Sequence, residues 1–321
     1  MLRYIIKRLL ALIPIILIMS MIVFGLTELA SGDPARILAE MTYEHPTNEQ
    51  VEWARHEYGL DQPIYKQYIN WAGKALHGDF GFSYNTRRSA LEEIGIKLPI
   101  TIKLAVTSVI ILLVIGVPLG ILSAVFENKW LDRIIQIFSF FDVSMPGFWI
   151  GLMMLYIFGV KLKVISILGS ATAAAPVLAA IAMDIGHFGI IIRLIRTNLI
   201  EVLHKGYIRT ARAKGLSSFS VIVKHGLKNA ILPVLTRFSS MCVSLLCGSA
   251  VIESIFAIQG VGNLALVSVQ IKDLPVLQCY ILLITVFVVV MNLFVDILYS
   301  FIDARIQIMS VSYTHLAVTS P

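Results

Sequence analysis

A basic segment, residues 193–228, lies between two long apolar stretches of this chain. It contains eight arginines and lysines and a single acid, Glu201. Positive side chains in this arrangement do two kinds of work: they orient a membrane protein with the loop in the cytoplasm, and they form ion pairs with acidic groups of a soluble partner. The basic residues are Arg193, Arg196, Lys205, Arg209, Arg212, Lys214, Lys224 and Lys228.

The sequence carries none of the common signatures of catalysis or nucleotide binding. Gly73-Lys74 lacks the glycine spacing and the following Ser or Thr of a phosphate-binding loop. No His-Glu-x-x-His, Gly-x-Ser-x-Gly or paired-cysteine pattern occurs. We therefore predict a non-catalytic chain without a bound cofactor or metal, so that active transport would draw its energy from a partner or an ion gradient.

Cysteines and histidines show no metal-ligand spacing. We predict the cysteines to be small buried apolar residues, and assign neither a disulfide nor a metal to them. The histidines outside the apolar stretches are expected to be separate surface residues. These residues are Cys242, Cys247 and Cys279, and His45, His56 and His77.

The composition is that of a membrane protein, with 57% hydrophobic and 14% charged residues and a mean hydropathy of +0.83. A helix that crosses a bilayer needs roughly 20 mainly apolar residues. Because the apolar runs are continuous rather than alternating, they predict helices and exclude a barrel. We predict an all-α integral membrane protein with six spans, at residues 9–29, 100–126, 134–160, 172–192, 231–252 and 277–301.

The distribution of charge predicts the orientation of these spans. Arg3, Lys7 and Arg8 precede the first span, which is too long for a signal peptide and lacks a small-residue cleavage site. We interpret it as a retained helix with a cytoplasmic N-terminus. Six crossings then place the C-terminus and the basic segment in the cytoplasm, and Lys129 and Arg133 in the second loop agree.

A polar segment at residues 31–98 falls on the opposite side of the membrane by this count. It holds ten acids and seven bases, and its content of Trp, Tyr and Leu is too high for disorder. A short helix is predicted over Glu49–Tyr58, ending at Gly59. The segment is expected to form a small extracytoplasmic subdomain between the first and second membrane helices.

The basic segment itself predicts two short helices joined at Gly215. Helix-forming residues dominate 198–213, and Lys205, Arg209 and Arg212 share one face. Glu201, four residues before Lys205, is placed for a helical ion pair. Ser217 or Ser218 is available to cap the second helix through Lys228, and Pro233 sits where the next span begins. On charge alone, a solvated loop or a patch for anionic lipid is the better explanation of the segment, but the helix–glycine–helix order and the length of the insertion weaken that alternative.

Several motifs resemble those of binding-protein-dependent ABC importer permeases of the peptide/nickel class. Arg209-Thr-Ala-Arg-Ala-Lys-Gly215 with Asn229-Ala-Ile-Leu-Pro233 is similar to the ATPase-coupling loop of that class, and the resemblance covers nearly the whole chain. Departures occur at Gln259, Ala304 and 164–166, where the class usually has Pro, Pro and Trp-Leu-Pro. Further matching motifs are Met1-Leu-Arg-Tyr4, Ser31-Gly-Asp-Pro-Ala35, Tyr58-Gly-Leu-Asp-Gln-Pro63, Gly78-Asp-Phe-Gly81 with Ser83, Val143-Ser-Met-Pro146, Gly260-Val-Gly262, Asp273 with Pro275, and Asp303.

The resemblance implies a first-permease (B-type) subunit with the six-helix fold of type I ABC importers. It would sit in a bacterial inner membrane and pair with a second permease, two cytoplasmic ATPases that use ATP and Mg, and an external solute-binding protein. The implied divisions are residues 1–30 with the first helix, 31–98 outside, 99–303 as the permease core with a coupling loop at 193–230, and 304–321 as a tail. Its implied coupling residues are Gly206, Arg209, Thr210, Ala211, Arg212, Lys214, Gly215 and Pro233.

Polar residues within the predicted spans are candidates for the transport pathway. In lipid they must face a cavity or pair between helices. Helix pairing is favoured for Asp142 and Asp296, whereas for Asp184 and His187 both interpretations stay open. Asn292 belongs to the same set.

The cargo that the resemblance implies is a peptide or nickel, and Ser144-Met-Pro146 and Leu277-Gln-Cys279 favour nickel-type sequences. The alternatives to an ABC importer are an ion-coupled transporter and an uncoupled channel or scaffold.

Residues 311–321 have neither apolar periodicity nor charged side chains, and resemble translated adaptor sequence. We hypothesise that they are foreign and disordered.

Overall fold

A computed structural model describes residues 2–29, 33–165 and 174–302, in which one isolated β-bridge, Phe82 to Ser89, accompanies the helices. In chain order the helices are α1 (Leu2–Leu29), α2 (Pro34–Thr42), α3 (Asn48–Glu57), α4 (Ile64–Leu76), α5 (Ala90–Val125), α6 (Trp130–Ser144), α7 (Gly147–Met154), α8 (Ala174–Asp184), α9 (His187–Leu203), α10 (Gly206–Ala213), α11 (Ser218–Ser220), α12 (Lys228–Ala230), α13 (Leu232–Ile255), α14 (Val261–Ile271) and α15 (Leu274–Ile302). Two π-helical segments, Leu155–Lys161 and Val221–Leu227, continue α7 and α11. The predicted tail 304–321 lies outside the described residues.

The chain divides into two compact units. The first comprises residues 1–101 and 259–289, and the second comprises residues 102–258 and 290 onward. Helices α5 and α15 contribute residues to both units.

Helices of membrane-spanning length occur within the described residues. Ala90–Val125 and Leu274–Val295 are long and apolar enough alone, and three bent helix pairs bring the number to as many as five. Four of these five overlap predicted spans, and the fifth, Ser218–Ala230 with Pro233–Leu246, overlaps the predicted span 231–252 but also includes part of the basic segment. The remaining one, 9–29, falls within α1, of which the apolar part Leu12–Thr27 is shorter than the other spans.

Two predicted spans are broken rather than continuous. The span at 134–160 bends by 99° between α6 and the helix that starts at Gly147. Pro146 disfavours helical backbone at Met145, which is extended with φ −96° and ψ 134°. The span at 172–192 bends by 56° between α8 and α9, where Gly186 has φ +86°. Each of these two predicted spans therefore consists of two helices with a bend between them.

The polar segment folds into the short helices α2–α4 of the first unit. Thr47 and Gln50 form a capping box at the start of α3, so the helix predicted over Glu49–Tyr58 is confirmed within a residue at each end. Asp33 caps α2 and accepts a 2.7 Å hydrogen bond from Arg55 of α3. Hydrogen bonding to Glu52, together with the charge of Asp33, raises the pKa of the Arg55 guanidinium above its ordinary value.

An aromatic cluster joins α4 to α1 in the same unit. Tyr68 and Trp71 of α4 stack around Phe24 of α1, with ring centroids 5.6 and 5.5 Å from the Phe24 ring. The Tyr68 hydroxyl also forms a 2.8 Å hydrogen bond with the Ser20 hydroxyl. The short helices are therefore fixed to a membrane helix by packing and by a hydrogen bond.

The second unit buries α9 against α5, α6 and α13. Ile191, Ile192 and Ile195 of α9 are 0–1% exposed and pack with Leu112 of α5 and Met241 of α13. These contacts require the helices to lie close together, and glycines on α5 and α9 allow this because they have no side chain in the way.

A first prediction tests this close approach. An added Cβ at Gly189 of α9 would lie 2.3 Å from the Ser139 carbonyl oxygen of α6, which is backbone and cannot rotate away. Gly189→Ala should lower the free energy of unfolding by about 1–3 kcal/mol or more, as overpacked cores do. Thermal unfolding of the purified protein in detergent measures this. Gly95→Ala is the matched control because an added Cβ there meets nothing within 4 Å; equal melting temperatures for the two variants would contradict the prediction.

Candidate functional site: the coupling loop and its supports

The predicted coupling loop has the helix–glycine–helix order expected from the sequence. Helix α10 ends at Ala213, and Gly215 follows with φ +79°. Ser217 caps the next helix by accepting a hydrogen bond from the backbone N–H of Ser220, and that helical run continues to Ala230. Pro233 lies in the first turn of α13. The predictions that one helix ends at Gly215 and that the next long helix begins near Pro233 are therefore confirmed.

One face of α10 is buried against the following helical run. Ile208 is fully buried and Ala211 is 8% exposed, and both pack with Val221. Ala211 is among the coupling residues that the resemblance implies, and its side chain is covered by this chain's own Val221. The small side chain of Ala211 permits α10 to lie close to residues 221–227.

The opposite face of α10 is exposed and basic. Arg209, Thr210 and Arg212 are exposed, and Lys214 follows as the C-cap residue. Glu201 and Lys205 form the predicted ion pair at 3.1 Å. The loop therefore presents positive charge outward while its apolar side holds it to the rest of the unit.

Exposed apolar side chains flank the glycine, and sequence reasoning missed them. Phe219 is 76% exposed and Leu216 is 41% exposed. Their positions on both sides of a terminating glycine, next to basic residues, give the loop the mixed composition of a protein-docking surface. The aromatic residue Phe219, four positions after Gly215, was the sequence feature that could have indicated this exposed apolar surface.

The helical run after Gly215 is anchored to α9. An added Cβ at Gly226 would lie 2.9 Å from the Leu199 Cδ1 atom, so the two helices are in close contact. Tyr207 of α10 also accepts a 2.9 Å hydrogen bond from the Asn229 side chain. Helix α10 is therefore linked through this helical run to α9 and to the start of α13.

A buried ion pair ties α9 to the N-terminal end of α6. Arg196 donates to both carboxylate oxygens of Asp132, with distances of 2.8 and 2.7 Å. Ser123 and the backbone N–H of Asn128 also donate to Asp132. Four hydrogen bonds therefore hold the Asp132 carboxylate in place.

This ion pair changes the interpretation of the basic segment. Arg196 was counted among its free positive charges, but its charge is compensated by Asp132, whose side chain is only 4% exposed. Sequence reasoning could not pair two residues 64 positions apart.

Asp142 has the helix-pairing role that was favoured for it. Its Oδ2 atom accepts hydrogen bonds from the backbone N–H groups of Gly186 and Gly189, at 3.0 and 2.8 Å. The carboxylate of α6 therefore caps the N-terminus of α9, where backbone donors have no helical partner.

Of the other candidate polar residues, Asp184 lies near enough to Asp142 for their charges to interact, whereas His187 neighbours Arg237. Asp184 is fully buried and accepts a hydrogen bond from Ser108. His187 instead lines a cavity of about 280 Å³ together with Ser244. Asn292 is exposed on α15, and the side chain of Asp296 lies outside the described side chains.

Two groups of recognised motifs, nearly 200 residues apart in sequence, meet in the first unit. Ser83 donates to Asp273, and the backbone N–H of Tyr84 donates to the other oxygen of the same carboxylate. Gly81, with φ +88°, lies against Pro275. A cavity of about 540 Å³ adjoins this contact, with its polar lining drawn from Asn70, Trp71, Lys74, Asp79, Arg87 and Gln278.

Cysteine and histidine positions agree with their predicted surroundings. Cys242 and Cys279 are buried, and the histidines 45, 56 and 77 are exposed. No group of three or more potential metal ligands comes together among the residues with described positions. The side chain of Cys247 lies outside that set.

Helices of membrane-spanning length and a loop with an exposed basic face are features of a membrane transport component of the permease type. Residues 116–308 match the family described as "Binding-protein-dependent transport system inner membrane component", and residues 1–105 match its N-terminal region. The chain belongs to this family of ABC importer permeases, so the resemblance recognised in the sequence is confirmed.

Curated relatives and a solved structure agree with this assignment. The glutathione transport system permease protein GsiC of Shigella boydii serotype 4, and that of Escherichia coli strain K12, are each 36% identical over 307 residues, which is 96% of this chain and 99% of the relative. An inward-facing structure of the MetNI methionine ABC transporter matches with a TM-score of 0.57 and 19% identity, over 65% of this chain and 96% of that one. The latter likeness supports the type I importer fold.

Proposed function

We propose that this chain forms one half of a translocation pathway for peptides and couples that pathway to cytoplasmic ATPases through residues 193–230. The observation that carries the proposal is the two-sided α10, which is packed against its own unit on one face and exposed and basic on the other. Such an element transmits the motion of a bound partner because it cannot move independently of the helices behind it.

The coupling step follows from this packing. A partner that binds α10 moves the run from Ser218 to Ala230 as well, because Ile208 and Ala211 are buried against Val221. Since that run contacts α9 and continues into α13, the movement reaches two membrane helices. ATP binding and hydrolysis by two partner ATPases, with Mg, would bias this element between two positions.

The chemistry of the exposed face indicates the kind of partner surface. Arg209 and Arg212 suit acidic side chains, and Phe219 and Leu216 suit an apolar groove. A lipid surface alone would also accept this composition. The family assignment favours an ATPase as the partner.

Peptides are favoured over nickel as cargo. The relatives with 36% identity are named for glutathione, which is itself a tripeptide. The two short motifs that favoured nickel-type sequences have no support from those relatives. We therefore propose small peptides as the cargo class, delivered by an external binding protein and shared with a second permease subunit.

The proposed orientation follows the distribution of charge. Both termini and the coupling loop face the cytoplasm of a bacterial cell with the chain in its inner membrane, and residues 31–98 face outward. In that position the helices α2–α4 and the cavity beside Pro275 are accessible to the external binding protein.

Reconstitution tests this function against its alternatives. The chain is placed in vesicles with the second permease, ATPases and binding protein of its own genome, and uptake of labelled glutathione, dialanine and a nickel chelate is measured. We expect peptide uptake that requires ATP and the binding protein. Uptake driven by an ion gradient without ATP would instead establish a secondary transporter, and leakage without either would establish a channel.

A further inference from the structure

Helix α13 carries a polar stripe that the sequence analysis did not single out. Arg237, Ser240 and Ser244 are exposed at spacings of three and four, so they share one helix face. In the same helix, Val234, Met241 and Leu245 are buried in the second unit. Arg237 is the only charged residue in the predicted span 231–252.

This stripe faces the polar side of α9 across a cavity of about 670 Å³. Arg193, Thr197 and Asn198 line it from α9, and Arg237 and Ser240 line it from α13. The smaller cavity lined by His187 and Ser244 lies one helical turn further along both helices. The two cavities thus follow one helix pair.

The larger cavity combines positive charge with hydrogen-bonding groups. Among its described lining residues there are two guanidinium groups and no acid. Arg193 donates its Nε–H to the Gly189 carbonyl and lies near enough to Asp142 to interact with its charge. Arg237 interacts electrostatically with His187.

An arginine in a membrane span is costly unless it faces water or a counter-ion. Guanidinium groups bind carboxylates through two parallel hydrogen bonds, and the hydroxyl and amide groups of Thr197, Ser240 and Asn198 suit a peptide backbone. The volume is within the range of small-molecule sites.

We propose that Arg193 and Arg237 form an anion-binding subsite that receives a carboxylate of a peptide during its passage. This inference rests on the proposed peptide pathway and deepens it, because it makes the permease itself selective for acidic peptides. A lipid phosphate offers similar charge, and the experiment separates the two.

The electrostatic potential in this cavity can be measured without a transport assay. Ser240→Cys is introduced into the complete transporter in neutral phosphatidylcholine vesicles, and its reaction rates with an anionic sulfonate and a cationic trimethylammonium thiosulfonate are compared with those of the unsubstituted protein. Arg193→Gln/Arg237→Gln should lower the anionic-to-cationic rate ratio by about tenfold, because the two reagents differ by two unit charges near the removed cations. Arg133→Gln, an exposed cytoplasmic arginine outside this cavity, should leave the ratio unchanged.

Protection of the introduced thiol identifies the occupant. A Glu-Glu dipeptide should slow labelling in the two-arginine protein, and its amidated form should not. An unchanged rate ratio in the double glutamine variant would overturn the proposal. So would protection by anionic phosphatidylglycerol vesicles in place of the dipeptide, which would assign the arginines to lipid.

Transport then gives an independent readout. With glutathione as probe, uptake per ATP hydrolysed should fall about tenfold in the double glutamine variant and be largely retained in Arg193→Lys/Arg237→Lys, which keeps the charge. Equal uptake by wild type and the glutamine variant would count against the subsite. If no peptide is transported but the charge ratio and protection hold, the proposed function fails while the anion subsite stands.

Discussion

Gly215→Val should reduce ATP-dependent peptide uptake by the reconstituted transporter at least about tenfold. Gly215 has φ +79°, and a side chain with a branched Cβ is strained there by roughly 1–2 kcal/mol or more. The turn relieves this strain by shifting, and the shift displaces α10 relative to Val221. Because α10 is the proposed contact with the ATPase, uptake should fall while the protein stays folded in the membrane.

Two substitutions make this prediction specific. Gly215→Asn should keep more than half of the uptake, because asparagine tolerates the left-handed backbone conformation. Gly73→Ala, in the middle of α4 with open space around it, is a matched glycine replacement away from the loop. Uptake by Gly215→Val equal to that of Gly73→Ala would remove the glycine from the coupling mechanism.

Arg196→Met should lower the free energy of unfolding by about 3–5 kcal/mol, because it leaves the Asp132 carboxylate buried without its partner. The double variant Asp132→Asn/Arg196→Met should recover a large part of this loss, since both charges are then gone. Unfolding of the purified protein in detergent, followed by helix content, measures all three. Additive losses in the double variant would contradict the assignment of a buried, coupled pair.

The exposed pair of Arg36 and Glu40 is the matched control, with side chains 67% and 50% exposed. Glu40→Gln should change stability by less than about 0.5 kcal/mol.

The sequence determined the class of the protein and the arrangement of its coupling loop. Continuous apolar runs require membrane helices, and glycine and proline end or begin helices through their own backbone limits. Gly215, Ser217 and Pro233 therefore occupy the predicted places. These are local effects, and each depends on residues within a few positions.

Only the tertiary structure decided which side chains of that loop face outward and which polar groups meet. Ala211 is buried by Val221, Arg196 is neutralised by Asp132, and Ser83 bonds to Asp273. Each outcome depends on how helices distant in sequence pack, which local propensity does not encode. The arginine-lined cavity has the same origin, because Arg193 and Arg237 lie on different helices and share a site only through the packing of α9 against α13.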